Sequence, residues 1–362
     1  FCWMKKLSCL TRLTTPSEDS FSTIIDRPFK RTDTGLPCCQ PYGTGSLFHD
    51  RRPYAPLSGY ADHRQRQDIS DDPPVYALDP EGKTIAVKEG DTFSSGTHTF
   101  RFLMAPMVHW PEVMLTYDET DKVLFSADAF GTFGALNGVI FNDEMDFDRD
   151  WLDDARRYYT NIVGKYGMQV QNVLKKASTL DIRIICPLHG PIWRNNLAYL
   201  LEKYDIWSSY RPEVKGVMIA YASMYGNTEN LANVLACKLA DAGITNLTVH
   251  DVSRSDVSEL IADSFKYSHI VLASPTYNGG VYPAMSNLLE DMNALGIKNR
   301  TVAVLGNGTW APTSAKLIEA RLAEMKGMTL LTENFAVKSA LQDDQLEDLD
   351  ELCAKIAETL AD

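Results

Sequence analysis

Five apolar runs between about Lys215 and Asp362 alternate with stretches of helical period, and this alternation constrains the fold more than any other feature of the chain. The runs lie at 216–222, 247–252, 268–274, 301–306 and 329–337, and the helical stretches at about 228–242, 256–264, 283–294, 312–326 and 343–360. Parallel strands need a crossover, usually a helix, so the pattern predicts a doubly wound, five-stranded parallel sheet of the α/β class. Ligands of such sheets sit outside the carboxyl ends of the strands, at the topological switch point.

Three loops leave those ends. The first, Ser223-Met224-Tyr225-Gly226-Asn227-Thr228, links an apolar run to an amphipathic helix. Backbone N–H groups and the positive end of the helix dipole make it an anion cradle. It carries no Lys and no G-x-G-x-x-G, which excludes a Walker loop and a dinucleotide fingerprint. The second is Ser274-Pro275-Thr276-Tyr277-Asn278-Gly279-Gly280 and the third Gly306-Asn307-Gly308-Thr309-Trp310. Their glycines let backbone approach a flat ring, and Tyr277 and Trp310 are candidates to flank it. Any one loop alone reads equally well as a plain turn; three at these positions point to a ligand. The region, about 213–362, resembles the flavodoxin-like domain over its whole length, and the resemblance implies bound FMN.

Upstream, three apolar strands each end in a metal-ligating side chain. Phe100 to Met104 lead to His109-Trp110-Pro111-Glu112, Lys122 to Phe125 to Asp128-Ala129-Phe130-Gly131, and Ile182 to Cys186 to His189-Gly190-Pro191. Imidazole and carboxylate together suit zinc or non-haem iron. A single His after a strand is more often a structural hydrogen-bonder, the reading given to His98, His250 and His269. Order and context together resemble the metallo-β-lactamase-like αβ/βα domain of flavodiiron proteins, which precedes a flavodoxin-like domain as here. That domain is expected over 73–212, in truncated form. The resemblance implies that His109 ligates one iron, His189 the other, and Asp128 bridges the two. It also implies electron relay from FMN to a diiron centre that reduces dioxygen or nitric oxide, and a head-to-tail homodimer. The helix with Ala155-Arg156-Arg157-Tyr158-Tyr159 also looks like the family, its arginines read as structural. Residues after 340 carry no Cys-x-x-Cys pair, so the expected donor is a separate protein such as rubredoxin, or a reduced cofactor.

The family places four further iron ligands earlier, in a His-x-Glu-x-Asp-His motif that this chain lacks. Residues 1–72 show no sustained period, and His49, Asp50 and His63 have the wrong spacing. Gln40 to Ser46 can be encoded by a string that, read one nucleotide later, spells Asn-His-Met-Glu-Pro-Asp-His. The segment therefore reads as an out-of-frame translation, or as a disordered arm. The chain as written is expected to bind FMN and to hold iron poorly.

Composition narrows the remaining classes. A net charge of −13 argues against nucleic-acid and anionic-lipid surfaces, and no apolar run is long enough to span a bilayer. Seven unpaired-looking cysteines, without a cleavable leader pattern, suggest a cytoplasmic protein. Two other functions stay open: a plain FMN electron carrier with a vestigial metal domain, and a hydrolase on the metallo-β-lactamase fold.

Overall fold

A computed structural model describes residues 62–65, as backbone, and residues 84–361. Apart from 62–65, the segment read as out of frame lies outside the described residues. The chain divides into two compact units, the first reaching Tyr159 and including Met168–Asp205, the second holding Thr160–Gly167 and everything from Ile206.

In the first unit β1 (Asp62–Gln65) pairs in parallel with β2 (Thr84–Val87). A separate sheet has the order β3 (Thr92–Ser94), β4 (Thr99–Met104), β5 (Met114–Asp118), β6 (Val123–Phe125) and β7 (Ile184–Cys186). Every residue of β5 and β6 is buried, as expected of continuous apolar runs covered on both faces. β4 is antiparallel to β5, β5 antiparallel to β6, and β6 parallel to β7. Hence β4, β6 and β7 run in one direction, and the loops after them leave one edge of the sheet. Short helices α1 (Phe147–Asp150) and α2 (Leu152–Tyr158) follow, then a π-turn at Tyr159–Val163, α3 (Gly167–Ala177) and α4 (Leu197–Ser208).

The second unit has the expected doubly wound sheet. Its strands are β8 (Val214–Tyr221), β9 (Leu247–Asp251), β10 (Tyr267–Tyr277), β12 (Arg300–Asn307) and β13 (Met328–Leu330), in the order β13-β12-β10-β8-β9. The short β11 (Gly280–Val281) pairs with β10. Helices α5 (Asn227–Asp241), α6 (Val257–Lys266), α7 (Pro283–Ala294) and α8 (Ser314–Leu322) fill the crossovers, and α9 (Leu346–Ala361) follows the last strand. Alternate strand residues face opposite sides. Val217, Ile219, Val271, Ala273, Ala303 and Leu305 thus join Leu231, Leu235 and Leu239 of α5 and Leu349, Leu352 and Ile356 of α9 in one core. The single strand expected at 329–337 is two: β13 and β14 (Ala336–Val337), both parallel to β12. Side chains interrupt the ladder between them. Thr332 Oγ1 accepts the Val304 N–H at 2.8 Å, and the Glu319 carboxylate accepts the Asn334 N–H at 2.9 Å.

Candidate functional sites

The first site follows from strand direction. His109 lies past β4, Asp128 past β6 and His189 past β7, so all three meet at one sheet edge. His109 Nε2 is 3.4 Å from Asp128 Oδ2, and His189 Nε2 is 3.2 Å from Asp128 Oδ1. Each imidazole therefore addresses its own carboxylate oxygen. Burial alone would push the Asp128 carboxyl up, but hydrogen bonds from both imidazoles hold it down at about 2.

The loop that presents Asp128 is strained: Ala127 and Phe130 take φ of 51° and 67°, conformations that each cost a non-glycine residue on the order of 1–3 kcal/mol. Leu188 N–H to Ala127 O (2.9 Å) and Ser126 Oγ to Ala129 O (2.7 Å) hold it in place. Tyr158 was not singled out from the sequence. Its buried ring lies 5.8 Å from that of His189, its hydroxyl lies beside Asp128, and burial together with the Asp128 charge raises its pKa. The only signal for it was the Tyr158-Tyr159 pair on an otherwise charged helix. Arg156 and Arg157 bind Asp153 and Asp154 one turn back, as structural residues do. His250 bonds Asp263, and His269 lies between the Ser268 and Thr359 hydroxyls at 2.9 Å each.

The second site lies on the neighbouring strands β12, β10 and β8, whose carboxyl ends carry the three loops. In the first loop Gly226 caps α5 with φ of 86°, and its N–H donates to Ser223 Oγ at 3.1 Å. Nothing lies within 4 Å of where a Gly226 side chain would begin, so the loop stands clear of the rest of the protein at that point. Thr228 is buried, whereas Met224 is partly exposed and Tyr225 is 89% exposed. Such a cradle fits a phosphate.

The second loop is a hairpin. Thr276 pairs with Val281 and Tyr277 with Gly280, with Asn278 and Gly279 at φ of 52° and 73° between them. Two left-handed residues in a two-residue connection are what a primed turn requires. Thr276 Oγ1 accepts the Thr313 and Ser314 N–H groups at 2.9 and 3.2 Å, capping α8. Pro275 is buried opposite Asn307.

In the third loop Gly306 and Asn307 end β12, and the Asn307 amide is bound to Ser339 O and N at 2.8 and 3.0 Å. A side chain at Gly308 would meet Pro312 Cα at 2.8 Å, so the close pass of Pro312 by itself requires glycine here. Thr309 Oγ1 lies 2.9 Å from Ser339 Oγ. Ser339 brings a fourth segment to the rim, for which the sequence held no signal. The aromatic side chains of the three loops, Tyr225, Tyr277 and, at 87% exposure, Trp310, all face solvent.

Two family models match the chain: Flavodoxin over residues 219–355 and ODP family beta lactamase over residues 72–190. A nitric oxide reductase of Moorella thermoacetica is 32% identical over 278 residues, 76% of this chain and 69% of that protein. An anaerobic nitric oxide reductase flavorubredoxin of Vibrio vulnificus is 33% identical over 251 residues, 68% of this chain and half of that protein's length. Among solved structures, rubredoxin oxygen:oxidoreductase from Desulfovibrio gigas superposes with a TM-score of 0.75 at 26% identity, covering 83% of this chain and 75% of that one.

Proposed function

The chain belongs to the flavodiiron protein family, and from that premise we propose that it is a flavodiiron-type reductase of dioxygen or nitric oxide. When bound, FMN and the two iron ions supply the electron chemistry; the protein supplies position and electrostatics. The hydroxyls of Ser223 and Thr228 and the N-terminus of α5 hold the FMN phosphate. Tyr277 and Trp310 flank the ring, with Asn278, Gly279, Thr309 and the rest of the second and third loops around its edge. His109, Asp128 and His189 are the residues that would hold iron, Asp128 as the shared carboxylate and the two imidazoles as terminal donors, with Tyr158 beside the carboxylate.

The observation that carries this reading is the division of Asp128 between two imidazoles, one per oxygen. Rubredoxin or a reduced cofactor is the donor, by analogy with the rubredoxin oxygen:oxidoreductase, and a head-to-tail dimer is part of the proposal. No helix among the described residues is long and apolar enough to cross a membrane; we place the protein in the cytoplasm. Turnover with reduced rubredoxin tests the function. Consumption of oxygen or nitric oxide in proportion to bound iron supports it; flavin reduction without gas consumption would make the chain an electron carrier instead. A hydrolase on the same fold has no use for the flavin loops.

A further inference from the structure

The first unit holds a second group of metal-ligating side chains, at the other end of β4 from His109. β5 runs antiparallel to β4, so Asp118 at the end of β5 comes beside His98 at the start of β4. His98 Nδ1 lies 2.7 Å from Asp118 Oδ2 and 3.6 Å from Asp121 Oδ2, and all three ligand atoms lie within 4.8 Å of one another.

The group is held from outside as well as within. Asp118 is buried, and its other oxygen, Oδ1, accepts the Thr120 and Asp121 N–H groups, so only Oδ2 faces His98. The His98 ring lies nearly parallel to Phe100, at 15°. The Thr99 N–H donates to Thr120 Oγ1 at 3.1 Å, which ties the start of β4 to the β5–β6 turn. Glu119, between the two aspartates, is bound to Arg101, whose Nε lies 2.6 Å away, so that cation is committed elsewhere.

We propose that His98, Asp118 and Asp121 form a divalent-cation site of the zinc class, separate from the redox centre and independent of the redox reading. Donors on one tetrahedral zinc stand about 3.3 Å apart at bond lengths of about 2.0–2.1 Å. The 2.7 Å contact would open by about 0.6 Å and the 3.6 Å contact close by about 0.3 Å. One imidazole and two carboxylates are borderline and hard donors, which suits zinc or manganese and disfavours calcium, whose ligands are all oxygen. Two carboxylates this close repel, and a dication removes that repulsion more fully than a neutral imidazole. Binding through Nδ1 requires the neutral tautomer that carries its proton on Nε2. The ion would pin the β5–β6 turn to the loop before β4.

The test is zinc titration of the metal-stripped full chain by calorimetry, with thermal melts in parallel. The double variant His109→Ala/His189→Ala is expected to retain one zinc equivalent and a zinc-dependent rise in Tm. His98→Gln and Asp121→Asn, both at partly exposed positions that tolerate change, are each expected to weaken that binding at least tenfold and to abolish the rise. The proposal is overturned if the double variant binds no zinc, or if His98→Gln and Asp121→Asn bind it as the parent does; His98 is then simply the ion-pair partner of Asp118.

Discussion

The two units build their candidate sites in opposite ways. In the flavodoxin-like unit each strand is followed at once by the loop it contributes, and strands adjacent in the sheet present adjacent loops. The site is assembled from local strand-turn-helix pieces, each legible by itself. In the metallo-β-lactamase-like unit, the three donors come from strands at 99–104, 123–125 and 184–186, separated by up to about sixty residues of other structure. Their meeting depends on strand direction across the whole sheet, and on non-glycine residues held at positive φ. A site of the first kind survives damage elsewhere in the chain. A site of the second kind fails when any contributing segment is lost, and the segment expected to supply the remaining ligands is the aberrant one.

The sharpest way to break this comparison is to count cofactors. The purified chain is expected to carry about one FMN and well under two irons, by absorbance and iron analysis; a full diiron complement would show that the metal unit holds its ions without the missing motif. Next in size, Asp128→Ala leaves two imidazoles without a shared anion. Residual iron should fall at least tenfold with FMN content unchanged, and joint loss of both would mean the sites are not independent. Ser223→Ala removes a candidate hydroxyl donor to a charged phosphate, a bond worth about 1.5–3 kcal/mol, so FMN affinity should drop tenfold or more in a fluorescence titration.

Acid probes the flavodoxin-like unit where it is otherwise sturdy. Burial lowers the His269 pKa from 6.5 to about 4. Between those values the unfolded chain binds a proton that the folded chain refuses, so stability is lost as pH falls through this window. The slope is at most about 1.4 kcal/mol per pH unit. Denaturation at pH 7 and pH 4.5 should give a smaller difference for His269→Gln than for the parent; equal differences would remove His269 as the cause. The smallest effect is expected for Trp310→Ala. Stacking is worth about 0.5–1.5 kcal/mol, so FMN affinity should weaken only several-fold.

Much of the second unit was legible because its signals are local. Apolar runs and helical periods placed four of the five principal strands and all five helices, with ends off by up to four residues, as at 312–326 against Ser314–Leu322. The exception, the run at 329–337, failed for a reason no local pattern carries: Thr332 and Asn334 are engaged by Val304 and Glu319 from elsewhere in the unit. Composition likewise gave no sign of the contacts that Thr276, Asn307 and Gly308 make within the protein: a helix cap, a link to Ser339 and a close pass by Pro312.

For this chain the sequence by itself determined the α/β alternation, the cradle at the start of α5 and the residue types able to hold a metal. These rest on backbone propensity and periodicity within a few residues. Only the tertiary structure decided that His109 and His189 take different oxygens of Asp128, that Tyr158 reaches the same carboxylate, and that His98 meets Asp118 and Asp121. Those contacts are set by which strands run parallel and in what register, a property of the whole sheet that no short window of sequence contains.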